Sequence, residues 1–454
     1  MKIRKYFVIF LMGAGIYPVF SQQDSVYKFS LSDAIAFALE NNHEVKNANL
    51  DVESAKKTIM ETTAKGLPHV DATGSYQYIL TIPDLFEQFL LGELAGDSTF
   101  IMAPPGEKQR IIDERLEDIR ASTSVDLTVS QLVFSGSYIV GLQTAKVYKE
   151  LSKYSLETTL NNVKENIINT YFLVLIAREN VATIDTLSGN TEQLFKETLA
   201  LYEKGFVEKT DAEQIELALE TVKSMKNSLH RQVKLAEQML NFQLGLSLDQ
   251  KVELTDNLKS LLSEEDIVNS MSKELILENN PNYQLLKTQE SLQEANVKLK
   301  QTEYLPTISA FYQHHENLNK DAVDFMPPDV VGLNVSIPIF SSFERHARVQ
   351  NAKIDFQKQQ NTSNQTITGI KLNYEEAKSA LTTSYTNYLI NKKRLSLSKT
   401  IYDQTLIKYK VGTVSNSDLT QKQNQYFENQ STYYGSIIEL INAKTRLDKI
   451  VNKL

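Results

Sequence analysis

Two periodicities divide the chain. Four short segments alternate with period two, and two long ones repeat every seven residues. In HVDATGSYQYIL, after Leu67-Pro68, Val70, Ala72, Gly74, Tyr76 and Tyr78 alternate with His69, Asp71, Thr73, Ser75 and Gln77. One face is small or aromatic and the other polar. SVDLTVSQLVF (124–134) sets Val125, Leu127 and Val129 against Ser124, Asp126, Thr128 and Ser130. VVGLNVSIPIF (330–340) sets Val331, Leu333, Val335, Ile337 and Ile339 against Gly332, Asn334 and Ser336. PTISAFYQHH (306–315) alternates more weakly. These patterns predict strands over 69–82, 123–134, 307–316 and 330–340. About ten residues suits a tilted bilayer-spanning strand. The competing reading is a half-buried sheet in a soluble protein.

The sevenfold pattern belongs to helices. Leu160, Ile167, Val174, Val181, Ser188, Phe195 and Tyr202 lie seven apart, as do Ile367, Tyr374, Leu381, Tyr388, Leu395, Tyr402 and Tyr409. Beside the second run stand mostly small residues: Ala377, Ser384, Asn391, Ser398 and Thr405. A heptad held this long packs helices along their length. About 65 residues at 1.5 Å each give roughly 100 Å, too long for a compact globule. Segments 211–243 and 416–452 read as helices returning in the opposite direction.

The two halves echo each other. YEKGFVEKTD (202–211) matches YKVGTVSNSD (409–418) through Tyr202/Tyr409, Gly205/Gly412, Val207/Val414 and Asp211/Asp418, at an offset of 207. Glu40-Asn41-Asn42 matches Glu278-Asn279-Asn280, and Leu67-Pro68 matches Leu305-Pro306, both at 238. SQLVFSG (130–136) matches SIPIFSS (336–342) at 206. The first copy therefore carries about 32 extra residues, between Pro68 and Phe134. This is duplication of a domain-sized unit: 22–243 and 271–454, with a linker at 244–270. The paired motifs fall between outgoing and returning helices, so they read as hairpin tips. Gly205 and Gly412 supply a left-handed residue that ends a helix. Asp211 and Asp418 open the return helices, where capping alone accounts for a carboxylate.

Composition sharpens this. Only 16 Gly and 10 Pro interrupt 454 residues, which favours long elements. Lys2, Arg4 and Lys5 precede the apolar stretch YFVIFLMGAGIYPVF (6–20), and Val19 and Ser21 suit a cut before Gln22. Residues 1–21 thus read as a signal peptide for export. Removing them takes the charge from −8 to about −11, which argues against nucleic acid as a partner. There is no Cys, hence no disulfide and no Cys-linked lipid. The longest other apolar run, YFLVLIA (171–177), is core-sized.

Four strands leave two open edges, which a bilayer does not tolerate. Assembly about a rotation axis removes them. A dimer would close eight strands with a filled bore, a trimer twelve with a passage; the polar faces favour the passage.

Each half runs helix, Asn-Pro-type turn, helix, Leu-Pro, strand pair, long helix, Y-x-x-G-x-x-x-x-x-D and return helix. His43 stands for the first proline, and Asn280-Pro281 keeps the second. This order, with ENNPNYQLL (278–286), the Leu-Pro pairs, SQLVFSG/SIPIFSS and the tip motifs, resembles the TolC-like outer-membrane efflux protein family. It spans essentially all of the chain after residue 21. The resemblance implies an α+β membrane protein that is a homotrimer. Four strands per chain would build a 12-stranded β-barrel, continued by a long periplasmic α-helical coiled-coil barrel. It implies an outer-membrane exit duct of a tripartite efflux or type I secretion system. Such a duct conducts substrate passively and needs no cofactor. Its partners would be outer-membrane lipid, a periplasmic adaptor (membrane fusion) protein and an inner-membrane RND or ABC transporter.

The resemblance also implies roles. Adaptor hairpins would dock at Tyr202, Gly205, Val207, Val411, Gly412 and Thr413. Asp418 matches an inward carboxylate ring at the closed end. Asp211 and Tyr409 match positions that hydrogen-bond between neighbouring coils. Gln421 stands where a second acidic ring is common, and Val414 replaces a basic latch. Those departures imply fewer latch contacts and weaker cation selectivity. LGLSLDQKVELTDNL (244–258) is similar to the family's link between halves, where a short strand joins a belt.

The join 83–122 holds helical pieces at 84–96 and 107–120. Its Phe86, Phe89, Leu90 and Leu91 either pack over the barrel mouth or meet a partner. The second join, 317–329, holds Pro327-Pro328. His314 and His315 beside it are expected to face solvent. HHE (314–316) makes a poor metal site, because neighbours on a strand point to opposite faces. No phosphate-binding or nucleophile motif occurs. The chain reads as a duct and not an enzyme. The alternative is a coiled-coil structural or adhesive stalk, which would have an apolar axis and no polar strand face.

Overall fold

The computed structural model describes residues 26–82, 84–318 and 327–454. The expected export segment 1–21 lies outside them. The chain opens with β1 (Tyr27–Phe29), α1 (Leu31–Asn41) and α2 (His43–Ala64) and enters β2 (His69–Tyr78). Three helices follow: α3 (Asp84–Leu94), α4 (Ser98–Met102) and α5 (Pro105–Arg120). Then β3 (Ala121–Ser135) runs without a gap into α6 (Gly136–Glu203), which turns into α7 (Lys209–Leu244). The linker holds β4 (Val252–Leu254), α8 (Leu258–Leu261) and α9 (Glu264–Met271). The second copy is α10 (Pro281–Thr302), β5 (Thr307–Asn317), β6 (Asp329–Ser336), α11 (Glu344–Lys410) and α12 (Asn416–Ile450).

The four alternating segments form one antiparallel sheet, β2-β3-β5-β6. Its register keeps polar residues together. Thr73 pairs with Asp126 and Asp126 with His315, while Val129 pairs with Tyr312 and Tyr312 with Val331 on the other face. Among the described residues β2 and β6 each pair on one side only. β2 stops at Tyr78 and β6 at Ser336, each four residues short of the expected ends. Pro338 has no N–H to extend the second ladder. A register shift between Leu132 and Phe134 leaves Val133 as an extra residue. His314 and His315 are not simply in solvent. His315 Nδ1 lies 2.7 Å from Asp126 Oδ1, and His314 Nδ1 lies 2.9 Å from Asp329 Oδ1. They serve opposite faces, as strand alternation requires.

The join 83–122 carries one more helix than expected, α4. In it Leu90 is buried and Leu91 exposed; the side chains of Phe86 and Phe89 lie outside the described ones.

The long helices hold 68 and 67 residues, about 100 Å each. Their sevenfold rows face inward within each hairpin: Tyr374, Leu381, Tyr388 and Tyr402 are buried, as are Ile167, Val174 and Ser188. The run 171–177 is core, with Tyr171, Phe172, Val174, Leu175 and Ile176 buried. Tyr171 Oη lies 3.0 Å from both Phe29 O and Asp256 Oδ2. Burial, then the Asp256 carboxylate, raises its pKa. In the linker β4 pairs in parallel with β1. Arg178 donates to Glu237 Oε1 at 2.6 Å and to Val252 O at 2.9 Å, fastening this pair to the helices.

The duplication recurs as geometry. Asn42 caps α2 and donates its Nδ2 to Gln243 O at 2.7 Å; Asn280 caps α10 and donates to Ile450 O at 2.8 Å. Each Asn locks a helix start to the end of its own return helix. Just past those acceptors the backbone turns left-handed, at Gly245 (φ 75°) and Asn452 (φ 56°). A Cβ on Gly245 would meet Asn41 O at 2.5 Å.

Candidate functional site

Both hairpin tips close the same way. Gly205 N–H donates to Tyr202 O at 2.8 Å and Phe206 N–H to Leu201 O at 2.9 Å. Gly412 N–H donates to Tyr409 O at 2.9 Å and Thr413 N–H to Lys408 O at 3.0 Å. These paired bonds need a left-handed residue, and the glycines supply φ of 78° and 76°. A Cβ at either meets nothing within 4 Å, so backbone conformation and not space selects glycine. The turns leave apolar side chains in the open: Phe206 is 73% exposed and Val411 70%. Tyr202 is exposed and Val207 half-buried. Gly205, Gly412 and Thr413 are also exposed, so the expected docking residues share one end of the molecule. Phe206, the most exposed apolar side chain there, has Thr413 as its counterpart in the other copy, so the repeat does not mark it.

The expected gate residues gather just behind the tips. Ser415 caps α12. Asp418 N–H donates to Ser415 Oγ at 3.1 Å, and Ser415 Oγ–H to Asp418 Oδ2 at 2.8 Å. Asp211 caps α7 more loosely, accepting from Glu208 N–H at 3.3 Å. Its bridge to the other hairpin comes from its main chain, since Asp211 O accepts from Asn416 Nδ2 at 2.7 Å. Tyr409 Oη lies 3.4 Å from Thr198 Oγ1 on α6. Asp418 and Gln421 are exposed. Gln421 lines a groove of about 430 Å³ between α7 and α12 with Gln214, Leu217, Ser417 and Asn424.

Behind the tips buried amides enter the seam between hairpins, beside an apolar cluster that includes Ile184, Leu194, Ile215 and Leu419. Buried Asn416, Gln423 and Gln430 lie seven residues apart on α12. Gln423 Nε2 donates to Thr191 Oγ1 at 3.0 Å and Gln430 Nε2 to Asn180 Oδ1 at 3.2 Å, both on α6. Nearer the sheet, α12 is instead apolar, with Ile437, Leu440 and Leu447 fully buried. The amide row is legible in the sequence as Asn and Gln at heptad spacing. Beside it Tyr402 stacks on Tyr426 at 5.8 Å, and burial, then Asp403 and Tyr426, push its pKa up to about 12.

The same architecture recurs in known proteins. Residues 274–453 match the family model described as outer membrane efflux protein. No curated protein matches the chain by sequence. Among solved structures, the CmeC outer membrane channel of Campylobacter jejuni superposes with a TM-score of 0.71 at 17% identity, over 93% of this chain and 85% of its own. The outer membrane protein VceC of Vibrio cholerae gives 0.69 at 12%, over 93% and 95%. The open state of the MtrE outer membrane channel of Neisseria gonorrhoeae gives 0.66 at 16%, over 93% and 88%. At these identities the likeness establishes the fold. With the family match it bears out the resemblance read from the repeated motifs.

Proposed function

We propose that this chain, whose second half carries an outer membrane efflux protein domain, is one protomer of a homotrimeric exit duct. The carrying observation is a four-stranded sheet with one polar face and, among the described residues, two unpaired edges, followed by helices of 68 and 67 residues. Three copies would close twelve strands about a polar bore, and their helical hairpins would prolong it across the periplasm. The apolar face meets outer-membrane lipid. Substrate passes without chemistry, delivered by an inner-membrane RND or ABC transporter through an adaptor docked on the exposed tips. Asp418 would line the closed end, with Gln421 behind it and Asp211 and Tyr409 tying the hairpins together.

The test is electron microscopy of the detergent-purified chain without partners. The duct predicts a threefold hollow tube longer than ~100 Å that narrows at one end. A solid rod would instead make the long helices a stalk, and the tip glycines helix caps alone.

A further inference from the structure

Where sheet meets helices, the chain carries a band of bare apolar side chains. Leu67 precedes β2, Val133 bulges from β3 and Tyr304 precedes β5; they are exposed by 55%, 60% and 49%. The segment after β6 is barer still, with Ile339 at 92%, Phe340 at 78% and Phe343 at 77%. Every strand contributes at the same end.

The last segment holds a strained backbone. Ser342 and Phe343 have φ of 46° and 65°, which bulky residues rarely adopt. Phe343 is also the N-cap of α11, yet offers no side-chain bond to it. Arg345 is buried beneath and holds the turn from below. It donates to Pro338 O at 2.7 Å and Ser341 Oγ at 2.9 Å, and its guanidinium lies 5.4 Å from the Tyr304 ring centroid. One helical turn further on, charges resume. Arg348 pairs with Glu303 at 3.2 Å and also with Glu344, and Lys300 pairs with Glu303 at 3.0 Å.

We propose that residues 337–343, clamped by Arg345, form an interfacial foot seated in the phospholipid layer on the helix-side face of the membrane. The foot rests on the reading that the sheet spans the bilayer. Continuity favours lipid as its occupant: Ile337 and Ile339 prolong the apolar row Val331, Leu333, Val335 of β6. The band then gives way to ion pairs within one turn, as hydrocarbon gives way to headgroups at a bilayer surface.

The chain contains no Trp, so each introduced indole is a sole reporter. Phe340→Trp, Phe343→Trp and, in mid-sheet, Leu333→Trp are purified, reconstituted into phosphatidylcholine vesicles and probed with lipids brominated at shallow or deep acyl positions. The foot predicts that the Phe340→Trp and Phe343→Trp variants lose most emission to shallow bromines, and Leu333→Trp most to deep ones. If the mid-sheet reporter is quenched while both foot reporters are spared, the foot is wrong and the spanning sheet stands. Blue-shifted but unquenched emission from the foot reporters would mean a second copy covers the segment, which also overturns the foot. An unquenched mid-sheet reporter would overturn the spanning sheet itself.

Discussion

The carboxylate of Asp418 is held by its own helix end. It exchanges hydrogen bonds with Ser415 and sits in the first turn of α12, where negative charge suits the helix dipole. It is also exposed, on the hairpin end that would narrow the duct. Three such charges around an axis would attract cations. Asn separates the two roles, because its side-chain oxygen still accepts from Ser415 while the charge is gone. Asp418→Asn should leave the fold within ~1 kcal/mol of the parent. In planar bilayers under a KCl gradient, its reversal potential should shift toward lower cation preference. An unmoved reversal potential would leave Asp418 as a helix cap alone.

At the scale of elements, the seam between hairpins is built in two ways. Near the sheet it is aliphatic; near the tips a row of amides, which fixes register at some cost in stability, runs beside the apolar cluster. The members of the row differ. Asn416 donates across the seam to Asp211 O, a carbonyl in the first turn of α7 that the helix ladder also uses. Gln423 bonds to Thr191 Oγ1, whose hydroxyl already donates to Leu187 O, so removing the amide strands nothing. Asn416→Ala loses the cross-hairpin bond and leaves a void, so it should destabilise by ~1–2 kcal/mol, whereas Gln423→Leu keeps the volume and should cost close to none. Thermal unfolding of the two variants would decide it, and equal losses would refute the distinction. Sequence made the main elements legible because their signals are local. Val70 to Tyr78 and Val331 to Val335 mark strands by alternation, Ile367 to Tyr409 a helix by sevens, and Gly205 and Gly412 its ends. What it hid depends on distant partners. The short strand in 244–258 is implied by the resemblance alone and appears as β4, but its partner β1 lies more than 200 residues away and offers three residues with no alternation to read. The exposed left-handed turn at Ser342 and Phe343 depends on Arg345, which nothing in the local pattern marks as buried.

The whole molecule turns on what meets the two sheet edges. β2 and β6 run antiparallel to each other across the intervening strands, so β6 of one copy can add to β2 of the next with the same alternating sense. Repeated around an axis, this closes without leaving an edge. The parity of side chains is then constrained. In such a ring Val70, Ala72 and Gly74 would share the row proposed to face lipid with Val331, Leu333 and Val335 of the neighbour, because a one-residue slip would turn apolar side chains to the proposed bore. The chain has no Cys, so paired substitutions report cleanly. Chains carrying Cys at one of 70, 72 or 74 together with one at 331, 333 or 335 should include a pair close enough for a disulfide, which needs Cα atoms within about 7 Å. On oxidation in membranes that pair should give dimer and trimer bands on non-reducing gels and no higher ladder. Each single-Cys parent should stay monomeric on the same gel. A ladder running past the trimer would mean that the edges add without closing. No cross-link from any of the nine pairs would mean that β2 and β6 do not meet at all, and the twelve-stranded barrel would fall with them.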